Sequence, residues 1–300
     1  MIIAAGGTGG HIYPGIAVAR EFLARAAGND VLFVGTARGL ESTIVPREGF
    51  RLELLQASAL KGVSLVRRIA SLLELPKGFL TALGILRRFD PDVVVGVGGY
   101  ASGPILLMAA LTRRPTLVIE PNAMPGFTNR VLARFVTAAA VTFEESLAWF
   151  GAKGVVTGNP VRSDFAGLAP KTRGESTRLL VFGGSQGSRA LNNALIAALP
   201  HVKPAVDAGR LTIHHQTGPH ELERVRAAYA DAGVAAEVVP FIDRMMDAFA
   251  DADLLLCRSG ATTVAEVAVA GKAAIFVPFP QAADDHQRRN AEAFVRAGAG

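Results

Sequence analysis

Short apolar runs recur along the chain, separated by stretches whose apolar positions fall three or four residues apart. VLFV at 31, RLELL at 51, VVVGV at 93, TLVIE at 116 and AAAVTF at 138 are rich in β-branched and aromatic residues and predict strands. The stretches between them predict helices, and strands alternating with helices imply a parallel, doubly wound sheet. The alternation stops at TGNPVRSDF and restarts with RLLVFGG at 178, LTIHHQTG at 211, AEVVP at 236, DLLLC at 253 and AAIFVPF at 273. The chain therefore reads as two α/β lobes, 1–160 and 161–300, with the proline- and polar-rich residues 159–177 as a hinge. Ligands bind such sheets outside the strand carboxyl ends, so two lobes would face each other across a cleft. Met1 to Ala5 makes a short first strand, and AFVRAGAG ends where another strand is expected, so a further C-terminal segment is anticipated.

Composition refines this picture only slightly. A length of 300 residues suits two domains. The single cysteine, Cys257 in LLLCRSG, has no internal partner, fits a reducing compartment and reads as a small buried apolar residue. No apolar stretch approaches a membrane span and no signal peptide opens the chain. The net charge of +5 falls wholly in residues 1–160. Much of it lies between 60 and 89, where Lys61, Arg67, Arg68, Lys77, Arg87 and Arg88 punctuate a leucine-rich helical pattern broken at Pro76. That pattern fits either a helix pair with a solvated basic face or a surface that attracts anionic lipid headgroups. Few aromatics and no recognised nucleic-acid motif argue against nucleic acid.

Three apolar runs break into glycine clusters that open helices: IIAAGGTGGHIYPG, VVVGVGGYASGP and LLVFGGSQGS. Glycines let the backbone approach a ligand closely, and each following helix start adds unpaired N–H groups and a positive dipole end. GGTGGH is neither a P-loop, lacking the Lys-Ser/Thr, nor GxGxxG, since Ile12 stands at the third glycine. Gly96 to Ala101 satisfies GxGxxA, with Glu120 about twenty residues on as a ribose-binding acid, which keeps a dinucleotide oxidoreductase as a rival reading. Asp90-Pro-Asp92 and Asp251-Ala-Asp253 precede buried strands and suit turn and helix-end roles better than metal binding. With no His/Cys/carboxylate cluster at ligand spacing, the expected mechanism uses neither metal nor cofactor.

His11 follows four glycines and a threonine on a loop that opens a helix, which makes it the candidate acid/base. CRSGATTVAE at 257–266 predicts a strand, a polar turn and a helix whose first turn suits a diphosphate, with Glu266 one turn in placed for a sugar hydroxyl pair. DDHQRRN at 284–290 opens a further helix with several hydrogen-bonding groups.

GGTGGHIYPGIAVA, GVGGYASGP, EPNAMPGFTNR, TGNPVR, GGSQGS, HQTG, PFI, CRSGATTVAE and PFPQAADDHQ, in this order, resemble the MurG family over nearly the whole chain. The resemblance implies two Rossmann-like lobes of the GT-B glycosyltransferase fold. It also implies inverting transfer of GlcNAc from UDP-GlcNAc to the MurNAc 4-hydroxyl of undecaprenyl-linked lipid I, giving lipid II for peptidoglycan. By the same resemblance the second lobe holds the donor. Ser185, Gln186 and Gly187 meet the diphosphate, Ile242 the uracil, Glu266 the ribose, and Ala261, Thr262, Thr263, Val264 and Ala265 the phosphates or sugar, while Arg162 contacts the nucleotide. Asn122 and Gln287 hydrogen-bond the sugar, with His286 beside Gln287 where some members carry two glutamines. Thr8, Gly9, Gly10 and His11 lie near the reacting centre, and Gly98, Gly99, Tyr100 and Ser102 receive the acceptor diphosphate.

The acceptor gives the basic segment a purpose, resting the first lobe on the anionic cytoplasmic leaflet as a peripheral protein. Rival readings are a related GT-B transferase, a sugar-nucleotide epimerase and a non-enzymatic nucleotide-binding module. GGTGGH and EPNAMPG argue against the first, and His11 would be idle in the last.

Overall fold

The computed structural model describes residues 1–37, 39–55, 65–168, 174–184 and 186–299, with the backbone alone for 65–75 and 299. Two compact units result, Met1–Arg162 and Ser163–Gly300. The first holds strands β1 (Ile2–Ala5), β2 (Leu32–Thr36), β3 (Arg51–Leu55), β4 (Val94–Gly98), β5 (Thr116–Glu120), β6 (Ala138–Val141) and β7 (Gly154–Val156), all parallel, in the order β3-β2-β1-β4-β5-β6-β7. Helices α1 (Gly9–Arg25), α2 (Glu41–Arg47), α3 (Leu65–Phe89), α4 (Ser102–Leu111), α5 (Phe127–Leu132) and α6 (Leu147–Phe150) follow β1 to β6 in turn. The two-residue alternation of β1 divides the core: Ile3 and Ala5 pack with Ile12 and Ile16 of α1 and Val45 of α2, while Ile2 and Ala4 face Ile85, Ile105 and Leu132 of α3, α4 and α5.

The second unit starts with α7 (Ser163–Ala166) and continues through β8 (Thr177–Phe182), α8 (Arg189–Asp207), β9 (Leu211–Gln216), α9 (Leu222–Asp231), β10 (Glu237–Val239), α10 (Met245–Asp251), β11 (Leu254–Cys257), α11 (Ala261–Val269), β12 (Ala273–Phe276) and α12 (His286–Phe294). Its strands are parallel in the order β10-β9-β8-β11-β12.

One expectation needs correction. The leucine-rich segment is one helix, α3, that runs through Pro76 instead of breaking there. Proline removes one backbone bond at a cost of about 3 kcal/mol, and burial of Ala82, Ile85 and Leu86 against the sheet outweighs it. Within the segment read as a hinge, α7 belongs to the second unit, where Phe165 meets the Phe249 ring edge-on at 5.1 Å. Strand β7 escaped prediction because only three residues pair at the sheet edge and two of them, Val155 and Val156, are exposed.

Phe249 is fully buried between Phe165 and Phe182. Phe249→Ala is expected to lower the stability of the second unit by about 3–5 kcal/mol, read as a fall in the urea midpoint.

Candidate active site

In both units the strand order reverses beside the first strand, between β1 and β4 and between β8 and β11. Crossovers leaving a reversal point go to opposite faces, so the loops at the strand ends part and open a crevice. The glycine loops lie at these two places.

After β1, Gly6 to Gly10 lead into α1, whose N-cap Thr8 makes no side-chain cap bond. The imidazole of His11 turns back, Nδ1 lying 3.0 Å from the Gly6 carbonyl oxygen. The second loop rests on the first: a Cβ on Gly99, at φ +82°, would stand 2.2 Å from that same oxygen, and one on Gly98 would stand 2.9 Å from His11 Nε2. Side chains larger than hydrogen cannot occupy either position. Ser102 is buried, and its Oγ accepts from Gly98 N at 3.1 Å and reaches the Ala4 and Gly98 carbonyls at 3.0 and 2.8 Å. Its hydroxyl is thus engaged with the loop and strand backbone and shapes the loop. Tyr100, by contrast, is exposed.

Glu120 is 1% exposed, and its carboxylate is turned into its own loop. It accepts from Asn122 N (2.9 Å), Asn122 Nδ2 (3.2 Å), Gly126 N (3.0 Å) and Asn129 Nδ2 (2.9 Å). Burial pushes its pKa up against these bonds. A carboxylate so enclosed cannot bind a ribose, which removes the basis of the dinucleotide reading; it holds Asn122 in place instead. Arg162 ends the first unit with its guanidinium over the Tyr13 ring, 5.1 Å from the centroid.

In the second unit the loop after β8 is braced from β9. Gln216 Nε2 donates to the Gly184 carbonyl at 2.7 Å, and a Cβ on Gly187, at φ +72°, would meet the Thr217 oxygen at 2.0 Å. Gln186 is exposed on this loop, and Ser185 lies outside the described residues. Behind the brace runs a buried chain. Tyr229 Oη lies 3.2 Å from His215 Nδ1, His215 Nε2 lies 3.1 Å from Asn192 Oδ1, and Asn192 Nδ2 donates to the Thr217 carbonyl at 3.0 Å. The amide fixes the direction: Asn192 Oδ1 only accepts, so Nε2 carries the proton and Nδ1 accepts from the tyrosine. Burial, reinforced by His214, lowers the His215 pKa to about 4 and keeps the ring neutral.

After β11, Gly260 stands at the N-cap of α11 with extended backbone and no side chain to bond, and the first turn of the helix runs through Ala261, Thr262 and Thr263. Glu266 is nearly buried one turn in, Ala265 is half-buried, and Val264 faces the core, so any ligand contact from Val264 comes from its backbone. Cys257 is fully buried and its thiol is pushed up to about 12, an inert packing residue. Arg258, missed from the sequence, donates from Nη1 to the carbonyls of Val277 and Pro278, both at 2.8 Å. It thereby fixes the start of the loop between β12 and α12, where Phe279 N donates at 3.0 Å to Oε1 of Gln287 in α12, which turns the glutamine NH2 to other partners. His286 Nδ1 bonds to the Ala283 carbonyl at 2.8 Å, and Asp284 and Asp285 before it hold left-handed φ of +54° and +56°. Ile242 is buried beside exposed Phe241. Of the two Asp pairs, Asp253 accepts from Arg178 N at 2.7 Å, and Asp90 pairs with Arg114 at 2.8 Å.

Each unit thus carries a glycine loop at its reversal point, the place where α/β sheets bind ligands, and comparison with known proteins gives the class. Residues 1–141 match the glycosyltransferase family 28 N-terminal domain and residues 178–300 its C-terminal domain. The chain is a glycosyltransferase of GT-B fold. It is 49% identical over its full length to a UDP-N-acetylglucosamine--N-acetylmuramyl-(pentapeptide) pyrophosphoryl-undecaprenol N-acetylglucosamine transferase of Geotalea daltonii, covering 83% of that protein. A protein of the same name from an Anaeromyxobacter species is 51% identical, with 79% of its length covered. The crystal structure of Acinetobacter baumannii MurG superposes with a TM-score of 0.77 at 35% identity, over 99% of this chain and 82% of that one. The chain belongs to the MurG family.

The buried His215 predicts a pH response. Its folded pKa of about 4 lies below the ordinary 6.5, so the unfolded chain takes up the proton first as pH falls. Stability is independent of this group above pH 6.5 and declines from there towards pH 4, with a slope of up to about 1.4 kcal/mol per pH unit. Urea titrations should show a flatter acid limb in His215→Gln than in the unsubstituted protein.

Proposed function

We propose that the protein transfers GlcNAc from UDP-GlcNAc to the 4-hydroxyl of the MurNAc residue of lipid I, forming lipid II for peptidoglycan. The observations that carry this reading are a glycine-loop anion cradle at the reversal point of each unit and, within the first unit, one imidazole beside its cradle. The reaction involves two diphosphates, one leaving with the donor and one in the acceptor, and each unit offers glycine loops with helix N-termini at its reversal point. The donor belongs to the second unit. Gln186, Gly187 and the first turn of α11 at Ala261 to Thr263 hold the diphosphate, Ile242 the uracil, Glu266 the ribose, Gln287 the sugar, and Ser185 completes the loop. Asn122 and Arg162 add contacts from the first unit, whose loops at Thr8 to His11 and Gly98 to Ser102 receive the acceptor.

The chemistry is a single displacement with inversion. The acceptor oxygen forms a bond to the anomeric carbon as the bond from that carbon to the diphosphate oxygen breaks, and UDP leaves with the electron pair. Fixed N–H groups and the helix dipole take up its charge. The hydroxyl proton passes to His11 Nε2, since a carbonyl acceptor at Gly6 requires the hydrogen to sit on Nδ1. His11→Ala is expected to lower kcat by about 100-fold or more with the Kd for UDP unchanged, measured by radiolabelled GlcNAc transfer to a short-chain lipid I analogue. Full turnover in that variant would remove His11 from the mechanism.

The first unit also serves as the peripheral face on the anionic cytoplasmic leaflet. Lys77, Leu80, Gly84 and Arg87 fall three or four residues apart on α3 and form one outer stripe, with Leu80 70% exposed. Leu111, at the end of the neighbouring α4, is 63% exposed, and Phe127, Val131 and Phe135 are exposed on or just after α5, among Arg113, Arg130 and Arg134. Helix α4 packs against both α3 and α5. Apolar groups ringed by cations suit an anionic interface, at about 1 kcal/mol per basic residue near the surface. No described helix is long and apolar enough to cross a membrane. Lys61 lies outside the described residues, as do the side chains of Arg67 and Arg68. Replacing Lys77, Arg87 and Arg134 together by Glu should abolish co-sedimentation with phosphatidylglycerol vesicles; unchanged sedimentation would return this face to a role as solvated surface.

A further inference from the structure

Glu41, in the first turn of α2, is fully buried. Its Oε1 accepts from Thr36 N and Thr36 Oγ1, both at 2.8 Å, and its Oε2 accepts from Gly7 N at 2.9 Å. Three glycines clear the space for it. A Cβ on Gly39 would lie 1.9 Å from Oε2, one on Gly35 would lie 2.5 Å from Cγ, and one on Gly6 would lie 2.8 Å from Oε1. The N–H that Glu41 holds and the carbonyl that His11 contacts are two ends of one group, the Gly6–Gly7 peptide. Carboxylate, peptide and imidazole therefore form a continuous chain, with Gly7 N 2.9 Å from Glu41 Oε2 and Gly6 O 3.0 Å from His11 Nδ1.

We propose that Glu41 is a positioning residue that sets the tautomer and raises the basicity of His11 through the Gly6–Gly7 peptide. An amide whose N–H donates to a carboxylate carries more negative charge on its oxygen, and hydrogen bonds in a chain strengthen one another. The Gly6 oxygen so polarised holds the imidazole hydrogen on Nδ1, leaves Nε2 as the proton acceptor and stabilises the imidazolium formed when the acceptor hydroxyl gives up its proton. The neighbouring elements offer little competition. Strands β1 and β4 carry no titratable side chain, α2 otherwise brings exposed Arg47 at its far end, and α1 itself brings Tyr13, under Arg162, with Arg20, Glu21 and Arg25 in its later turns. A carboxylate is required because two fixed backbone donors, Thr36 N and Gly7 N, converge on it from different sides. Glutamine of the same size keeps one oxygen for Thr36 and turns an NH2 towards Gly7 N.

The relay rests on the reading of His11 as the base, and the test separates the two. In protein labelled with 15N at histidine, NMR should find His11 of the unsubstituted protein in the Nδ1–H form. Glu41→Gln should move its titration midpoint to lower pH by about half a unit or more. The acid limb of kcat/KM should move the same way, kcat should fall about tenfold, and the Kd for UDP should not change. An Nε2–H tautomer in the unsubstituted protein overturns the relay, a result that needs no variant to fold. So does an unmoved titration in Glu41→Gln, even with activity lost, because loss of activity alone follows from any disturbance of the loop. Full turnover in His11→Ala would instead refute the base while leaving the tautomer measurement intact.

Discussion

The parallel pairing of β1 with β4, repeated by β8 with β11, is the constraint on which the molecule depends. Each pairing joins strands whose outgoing helices pass to opposite faces of the sheet, so the loops at their carboxyl ends part. Glycine then decides how those loops use the space. Gly99 resting on the Gly6 carbonyl, and Gly187 on the Thr217 carbonyl, bring backbone against backbone at separations that no side chain allows. Anion binding by N–H groups needs such bare backbone, since a cradle lined by Cβ atoms would hold the phosphate off.

Each cradle is supported from behind by buried polar groups that do not themselves face the ligand crevice. In the first unit these are Glu41, Ser102 and Glu120, and in the second they are Gln216, Arg258 and the chain from Tyr229 through His215 to Asn192. Buried polar groups are costly when unpaired and directional when paired. Here most of their bonds go to backbone in the loops or at the strand ends beside them, so the desolvation cost is offset by bonds that fix loop shape. The glycine loops of both units are thereby held in shape by the fold itself, the preorganisation that N–H groups need if they are to stabilise developing charge without rearranging first.

Much of this was legible in the chain. Alternating strand and helix periods gave the two doubly wound units, because burial on both faces of a parallel sheet forces apolar runs and surface helices force a three-to-four spacing. The glycine clusters and His11 stood out because their residue types are rare in strands and helices. The supports did not. Glu41 reads as an ordinary acid at a helix start, and its signal, glycines at 35 and 39 clearing room around it, emerges only when β2 is seen beside β1. His215 looked like one of a pair at a strand end, yet its neighbours Asn192 and Tyr229 are 23 and 14 residues away in sequence. Pro76 misled because a local rule, the lost helix bond, was outweighed by tertiary burial of the following turns.

Local chemistry, then, was fixed by sequence: where elements begin, which loops are bare enough to bind anions, which residues can move a proton, and which family the chain joins. Tertiary structure alone decided which strands lie side by side, and hence that the peptide between Gly6 and Gly7 is gripped by a carboxylate on one side and an imidazole on the other. The physical reason is range. Backbone conformation and periodicity act over a few residues, whereas the bonds that orient Gly7, Gly184 and Thr217 are set by partners that only the packing of the sheet brings within 3 Å or so.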